Sequence, residues 1–105
     1  MLKVGIIGTG VIFDLNVLGY LNNNDGDITC LCNRTTEKAK SKIKQFNLDK
    51  NIRIYSDYKE MLDKEELDLI EILLPHHLHA EVTIYAAGKG VKAISVQKTH
   101  GFNTR

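Results

Sequence analysis

Residues 2–13 read LKVGIIGTGVIF and join a short apolar run to a glycine-rich turn. The run before Gly8 has the length and composition of a buried strand, and a segment of helical character begins at Val11. Gly8 permits a tight turn, and Gly10 lets backbone N–H groups approach a phosphate at the N-terminus of the helix. The stretch therefore predicts a strand, turn and helix that bind the pyrophosphate of a dinucleotide.

The residues of this glycine loop form the first candidate site, and they are Gly8, Thr9, Gly10, Val11 and Ile12. At the next motif position a glycine or alanine normally allows close packing of helix on strand, but this chain has Phe13. We expect the phenyl ring either to push the helix outward, which would weaken cofactor binding, or to turn into a gap elsewhere. The alternative interpretation is a glycine turn that binds no ligand.

Segments of strand and helix character alternate along the whole chain. Apolar runs predict strands over Leu2 to Ile7, Ile28 to Cys32, Ile52 to Tyr55, Leu67 to Leu74 and Val91 to Val96. Helices are expected over Val11 to Leu21, Thr36 to Phe46, Asp57 to Leu62 and Leu78 to Ala87. Near-continuous apolar strands are typical of a parallel sheet covered on both faces. The pattern predicts an α/β, doubly wound, Rossmann-type sheet of about five strands in the order 3-2-1-4-5, with a cleft where that order reverses.

Two helix ends carry local signals. Asp57 and Glu60 form an Asp-x-x-Glu variant of the capping box at the start of the third helix. Gly88 is placed to take the left-handed conformation after the fourth helix.

Length and composition are those of one ordinary globular domain. The chain has 105 residues, 43% hydrophobic and 26% charged, with a net charge of +1. This profile gives no reason to expect a nucleic-acid partner. We expect residues 1–105 to form one domain without a membrane span or a targeting leader, and therefore a cytoplasmic location. Cys30 and Cys32 would share one face of a strand, which predicts free, buried thiols.

The segment after the second predicted strand reads Asn33-Arg34-Thr35, at the distance from the glycine loop where a ribose-binding residue is expected. Asn33 can hydrogen-bond a ribose hydroxyl but lacks the charge that would repel a 2′-phosphate. Arg34 could pair with that phosphate or stack on adenine, and Thr35 adds a hydroxyl. These residues favour NADP over NAD as the cofactor. The alternative is that Arg34 and the threonines only begin the second helix.

Residues 68–81, DLIEILLPHHLHAE, together with the glycine loop, resemble the N-terminal domain of the glucose-fructose oxidoreductase and inositol dehydrogenase (Gfo/Idh/MocA-type) family. In that family a strand ending in proline leads to a helix that begins near a histidine. A glycine-containing turn, a fifth strand and a Glu-Lys-Pro signature follow. This chain keeps Pro75, His79 and the turn at 88–90, while its signature reads Gln97-Lys98-Thr99. The resemblance covers essentially the whole chain.

The resemblance implies an oxidoreductase that transfers hydride between NAD(P) and a sugar, polyol or similar small hydroxy or carbonyl compound. It implies that backbone near Leu74 and Pro75 borders the nicotinamide ribose, with His79 as a further cofactor-binding position. It also implies that Gln97 and Lys98 face the nicotinamide. Lys98 would be the catalytic residue, because its ammonium could polarise or protonate a substrate oxygen. The alternative is a solvated lysine after the last strand.

In the family, the substrate-binding groups come from a second domain that follows the lysine signature. Only residues 99–105 follow Lys98, so we expect a truncated cofactor half, inactive by itself and prone to form homo-oligomers through exposed apolar surface. One alternative is a stand-alone regulatory module that binds a nucleotide. Another is an S-adenosylmethionine-dependent methyltransferase, which usually has a carboxylate where Asn33 and Arg34 stand.

Two further features of residues 68–81 invite a functional interpretation. His76, His77 and His79 could gather a metal ion, but no carboxylate or thiol is obviously placed to complete the site, so no metal is predicted. Glu71 stands within an apolar strand, where an unpaired charge is costly, and we expect it to reach an edge or a polar partner.

Overall fold

The computed structural model describes residues 2–9, 13–14 and 26–96. Within these residues one sheet contains β1 (Leu2–Ile7), β2 (Gly26–Cys32), β3 (Arg53–Tyr55), β4 (Leu69–Ile72) and β5 (Ala93–Val96). The helices described in full are α1 (Thr36–Gln45), α2 (Tyr58–Lys64) and α3 (His79–Gly88), the last preceded by a 3-10 turn at His76–Leu78. Phe13 and Asp14 are also helical, and the rest of the helix predicted over Val11 to Leu21 lies outside the described residues.

The strand order is β3-β2-β1-β4-β5, and every neighbouring pair is parallel. This confirms the predicted doubly wound sheet, although β2 begins earlier and β3, β4 and β5 are shorter than their apolar runs. The chain order reverses between β1 and β4, whose last residues Ile7 and Ile72 are paired in register. A cleft is therefore expected beyond the carboxyl ends of these two strands.

Two apolar clusters cover the opposite faces of the sheet. One contains Val4, Ile6 and Leu31 and packs beneath α1, while the other packs β1, β2 and β4 against α2 and α3. Because successive side chains of a strand point to opposite faces, burial on both sides explains the near-continuous apolar runs. Cys30 and Cys32 are buried free thiols in the second cluster, as predicted, and desolvation raises the pKa of each to about 12.

Phe13 lies in the first cluster, where it has no exposed surface. Its ring contacts that of Phe46 edge-on, with 6.3 Å between the ring centroids. The next residue, Asp14, forms an ion pair with Lys42 of α1, with 2.7 Å between Oδ1 and Nζ. The phenyl ring thus turns into a gap in the core beneath α1, which is the second of the two expected outcomes. Contacts with α1 and Phe46 anchor both Phe13 and Asp14.

The end of α3 differs from the prediction. Gly88 is the last helical residue and does not take the left-handed conformation, which belongs to Gly90 with a φ of 82°. The N–H of Lys89 and that of Gly90 still donate to carbonyls of α3, at 3.0 and 3.2 Å. These bonds delay the reversal of the chain by two residues. None of the helices in the described part of the chain is long and apolar enough to cross a membrane.

The start of α2 confirms half of the predicted capping box. The Asp57 carboxylate accepts a hydrogen bond from the Lys59 N–H at 3.0 Å, so Asp57 is the N-cap. Glu60 pairs with Lys64 one turn later, at 3.0 Å, instead of turning back to the cap. The helix therefore continues to Lys64, past the predicted end near Leu62.

Glu65, directly after α2, ties this helix to the edge strand β3. Its side chain is only 7% exposed, and its carboxylate accepts hydrogen bonds from Arg53 Nε at 2.5 Å and Nη2 at 2.6 Å. The Tyr55 hydroxyl donates a third bond at 2.6 Å. The bonds from Arg53 first, and then the bond from Tyr55, hold the pKa of Glu65 below its ordinary value.

A Glu65→Gln variant should be less stable than the wild type at neutral pH by about 1 kcal/mol, since Arg53 is half exposed and the pair is partly screened. Because the folded-state pKa of Glu65 lies below the unfolded value, the stabilisation is present above the unfolded pKa. It is lost as the pH falls through the folded pKa. Urea unfolding of both proteins from neutral pH into acid should therefore show the difference shrinking.

The neighbouring Glu66 is exposed and supplies the matched control Glu66→Gln, which should leave the free energy of unfolding nearly unchanged at every pH. A difference between Glu65→Gln and the wild type that stays constant into acid would contradict this account of the ion pair.

Candidate cofactor site

A cleft of about 850 Å³ lies at the carboxyl edge of the sheet, where the strand order reverses. Its volume is within the range of small-molecule sites, roughly 300–1,000 Å³. Of the sequence-predicted site residues, the cleft brings together Asn33, Arg34, Thr35 and Leu74. The cleft is thus at the place that the topology predicts for a dinucleotide.

Gly8 forms the sharp turn at the end of β1. Its φ is 104°, and a Cβ at this position would lie 2.7 Å from the Leu73 carbonyl oxygen. The N–H of Gly8 donates to the Cys32 carbonyl at 2.8 Å, and the N–H of Leu73 donates to the Ile7 carbonyl at 2.8 Å. The turn is therefore held between the ends of β2 and β4, in a space that admits no side chain.

Thr9 presents a buried hydroxyl beside this turn. The residue is 5% exposed, and its Oγ1 has no hydrogen-bond partner among residues 2–9, 13–14 and 26–96. A buried polar atom without a partner costs free energy, and a phosphate oxygen would supply an acceptor. The turn at Gly8 and this hydroxyl fit a dinucleotide pyrophosphate. The other loop residues predicted for the site, Gly10, Val11 and Ile12, lie outside the described residues.

The loop after β2 is held as a turn that leads into α1. Asn33 Nδ2 donates to the Thr35 carbonyl at 2.7 Å, and the Asn33 N–H donates to the Tyr55 carbonyl at 3.0 Å. Thr35 is the N-cap residue of α1, although its side chain makes no capping hydrogen bond. Arg34 and Lys38 are exposed at the cleft, and neither forms an ion pair within the described part of the chain. The threonines do begin the helix, while two cations stand at the cleft beside them.

His79 holds the backbone that follows β4. Its Nε2 lies 2.6 Å from the Leu74 carbonyl oxygen, and since a carbonyl can only accept, Nε2 carries the proton. The imidazole is buried at 8% exposure and contacts the ring of His76 edge-on. The bond therefore fixes Leu74 at the cleft from the start of α3, whereas the predicted site residues Pro75 and His79 do not line the cleft themselves. Among the described residues, no three His, Cys, Asp or Glu side chains come together to hold a metal ion.

The wall of the cleft formed by α2 and α3 was missed from the sequence. The Tyr58 hydroxyl donates to Glu81 Oε2 at 2.6 Å. Desolvation first, and then the hydrogen bond to Glu81, raise the pKa of Tyr58 to about 12, so this hydroxyl keeps its proton. The other cleft residues that were missed are Ile7, Cys32, Lys38, Ser56, Asp57, Leu78 and Val82. A usable signal existed for 56–58, because these residues directly follow a strand at the carboxyl edge of the sheet.

Gln97 and Lys98 lie outside the described residues. The strand before them, β5, is parallel to β4 and ends at Val96, which is paired with Ile72. The strand that precedes the predicted catalytic lysine thus ends at the same edge of the sheet as the cleft.

Residues 2–98 match the model of the family described as "Oxidoreductase family, NAD-binding Rossmann fold" (GFO_IDH_MocA). D-apiose dehydrogenase of Paraburkholderia graminis is 32% identical over 93 residues, which are 88% of this chain and 24% of that protein. An uncharacterized oxidoreductase of Rhizobium meliloti is 30% identical over 91 residues, 86% of this chain and 26% of its own length.

Solved structures of similar fold include myo-inositol 2-dehydrogenase from Lactobacillus plantarum, which is 26% identical with a TM-score of 0.76 and covers 88% of this chain and 26% of its own. Levoglucosan dehydrogenase in complex with NADH and levoglucosan is 25% identical, with a TM-score of 0.77. This match covers 90% of this chain and 27% of that structure. The chain spans about a quarter of the length of the curated relatives that it matches. It belongs to the Gfo/Idh/MocA oxidoreductase family and forms the NAD-binding Rossmann domain of that family.

Proposed function

We propose that this chain is the cofactor-binding part of a longer enzyme that transfers hydride between a nicotinamide dinucleotide and a sugar, polyol or similar hydroxy or carbonyl compound. The observation that carries the proposal is the cleft at the strand reversal, which Ile7 at the end of β1 helps to line. The side-chain-free turn at Gly8 and the buried Thr9 hydroxyl directly follow that residue in the chain. The names of D-apiose, myo-inositol and levoglucosan dehydrogenases support this substrate class. Because those relatives are about four times as long, the substrate-binding groups would come from another part of the protein.

When bound, the nicotinamide supplies or accepts the hydride. The glycine loop would hold the pyrophosphate with backbone N–H groups and the Thr9 hydroxyl. Asn33 would hydrogen-bond the adenosine ribose at the end of β2. Leu74 and Pro75, positioned by His79, would border the nicotinamide ribose.

Residues 97 and 98 would complete the nicotinamide side of the site. The Lys98 ammonium would donate a proton to, or polarise, the substrate oxygen as hydride is transferred. Gln97 would contact the cofactor beside it.

NADH should bind the purified protein with a dissociation constant below millimolar, as followed by nicotinamide fluorescence. Gly8→Ala should weaken binding at least about tenfold, because the added methyl meets the Leu73 carbonyl and an L-residue is strained at this φ. Gly90→Ala is the matched control, since Gly90 also has a positive φ but open space around it. That variant should bind NADH like the wild type, and no saturable fluorescence change with the wild type would contradict the proposal.

The choice between the two dinucleotides is the finer part of the proposal, and we favour NADP. No carboxylate follows β2 at 33–35, and Arg34 and Lys38 stand at the cleft with no ion-pair partner among the described residues. A planar guanidinium pairs well with a phosphate.

An Arg34→Ala variant should therefore lose about tenfold or more in affinity for NADPH and only about twofold for NADH, as measured by the same fluorescence titration. Lys44→Ala removes an equal charge from an exposed site at the other end of α1 and should alter neither affinity appreciably. Equal losses for the two cofactors with Arg34→Ala would argue that Arg34 does not bind a 2′-phosphate.

In the whole enzyme, Lys98→Met should lower kcat by about a hundredfold or more while the dissociation constant of the reduced cofactor stays nearly unchanged. Lys92→Met, at an exposed position before β5, should leave kcat close to that of the wild type. Steady-state kinetics and cofactor titration of the two variants would separate these effects. A Lys98→Met enzyme that keeps most of its kcat would remove this residue from the proposed chemistry.

A further inference from the structure

Tyr58 and Glu81 line one wall of the cleft, and the Glu81 carboxylate is held there by a hydrogen bond from Tyr58. We propose that Glu81 selects the base of the cofactor by accepting a hydrogen bond from the 6-amino group of adenine, and so discriminates against a base with oxygen at position 6. This inference rests on the proposed function, because it concerns the base end of the same cleft.

The carboxylate is held by a hydrogen bond from α2, and the tyrosine that donates this bond packs against α3. Tyr58, the first residue of α2, donates its hydroxyl proton to Glu81 Oε2 at 2.6 Å. The Tyr58 ring is packed edge-on against that of Tyr85 of α3, with 5.9 Å between the centroids and an interplanar angle of 88°. The Tyr85 hydroxyl in turn donates to Asp63 of α2 at 2.7 Å. Glu81 is therefore oriented by a tyrosine whose own ring is packed against Tyr85.

The Tyr58 bond leaves Glu81 able to accept more hydrogen bonds. Tyr58 contacts Oε2, and Oε1 forms no hydrogen bond with any residue in the described ranges. An ionised carboxylate accepts hydrogen bonds and donates none. The adenine 6-amino group is a donor, whereas the 6-oxo group of hypoxanthine is an acceptor that would face the carboxylate oxygen directly. Hypoxanthine does carry a donor, the proton on N1, but this proton lies one ring position away from the place of the adenine 6-amino group.

The order of elements along the cleft places the base near this wall. The turn at Gly8 follows β1, the predicted ribose-binding loop at Asn33 follows β2, and Tyr58 follows β3, one strand further from the centre of the sheet. A dinucleotide that starts with its pyrophosphate at Gly8 and its adenosine ribose at Asn33 therefore extends its base toward Tyr58 and Glu81.

The charges of the cleft agree with this direction. The cations Arg34 and Lys38 stand at the loop after β2 and the first turns of α1, where phosphate groups are favoured. The carboxylates Asp57 and Glu81 stand on the other wall, where a phosphate would be repelled and an uncharged base with donor groups would be accepted. Asp57 already caps α2 through the Lys59 N–H, so Glu81 is the carboxylate that serves the base.

The test compares NADH with reduced nicotinamide hypoxanthine dinucleotide, which differs only in the base, by nicotinamide fluorescence on the purified protein. The wild type should bind NADH about tenfold more tightly. Glu81→Gln should bring the ratio of the two dissociation constants close to one, because an amide both donates and accepts. Tyr58→Phe should lower the ratio to about threefold, since it releases Glu81 without removing it; Tyr58 is a positioning residue. Glu37→Gln, an exposed position on α1, should keep the wild-type ratio.

The ratio separates base recognition from general damage to the fold, which would weaken both ligands together. Equal affinity of the wild type for the two dinucleotides would overturn the inference and leave the proposed function standing. An unchanged ratio in Glu81→Gln would overturn it as well. If the wild type bound neither dinucleotide, the proposed function would fail, and the inference would fail with it.

Discussion

At the end of β1 the chain leaves the sheet through a space bounded by backbone, where a Cβ at residue 8 would lie 2.7 Å from the Leu73 carbonyl oxygen. Hydrogen bonds on both sides, from Gly8 to Cys32 and from Leu73 to Ile7, hold the ends of β2 and β4 against this turn. The close approach brings the loops after three strands to one edge, with little side-chain volume between them. The cleft lies beyond this edge, between the residues that follow β2 and those of α2 and α3.

Phe13, at the position where the motif calls for a small residue, is helical. The ring is accommodated because Phe46, directly after α1, is its aromatic partner. Asp14, next to Phe13, forms an ion pair with Lys42 of α1. A bulky residue at this position therefore becomes part of the core. The contacts on the two faces of the sheet differ, since α1 anchors Phe13 and Asp14 while α2 and α3 build the wall that carries Tyr58 and Glu81.

Much of the fold could be predicted from local patterns. Near-continuous apolar runs indicated strands buried on both faces, and the alternation with helices, combined with the handedness of crossovers, led to the observed strand order. The glycine turn and the residues after β2 could be placed because they directly follow strands. Local signals were weaker at helix ends, where Gly88 was the expected reversal and Gly90 the observed one, since nearly equal backbone hydrogen bonds compete there.

The sequence by itself determined the elements, their order and the three loops that meet at the cleft, because periodicity and glycine act over a few residues. Only the tertiary structure decided which side chains face each other across the cleft. Tyr58 and Glu81 are 23 residues apart in the chain, with the rest of α2, β4 and the 3-10 turn between them, yet their oxygens lie 2.6 Å apart. The burial of Phe13 and the bond from His79 to Leu74 likewise depend on how elements pack. Such contacts arise from the relative placement of helices on a sheet, which no local pattern encodes.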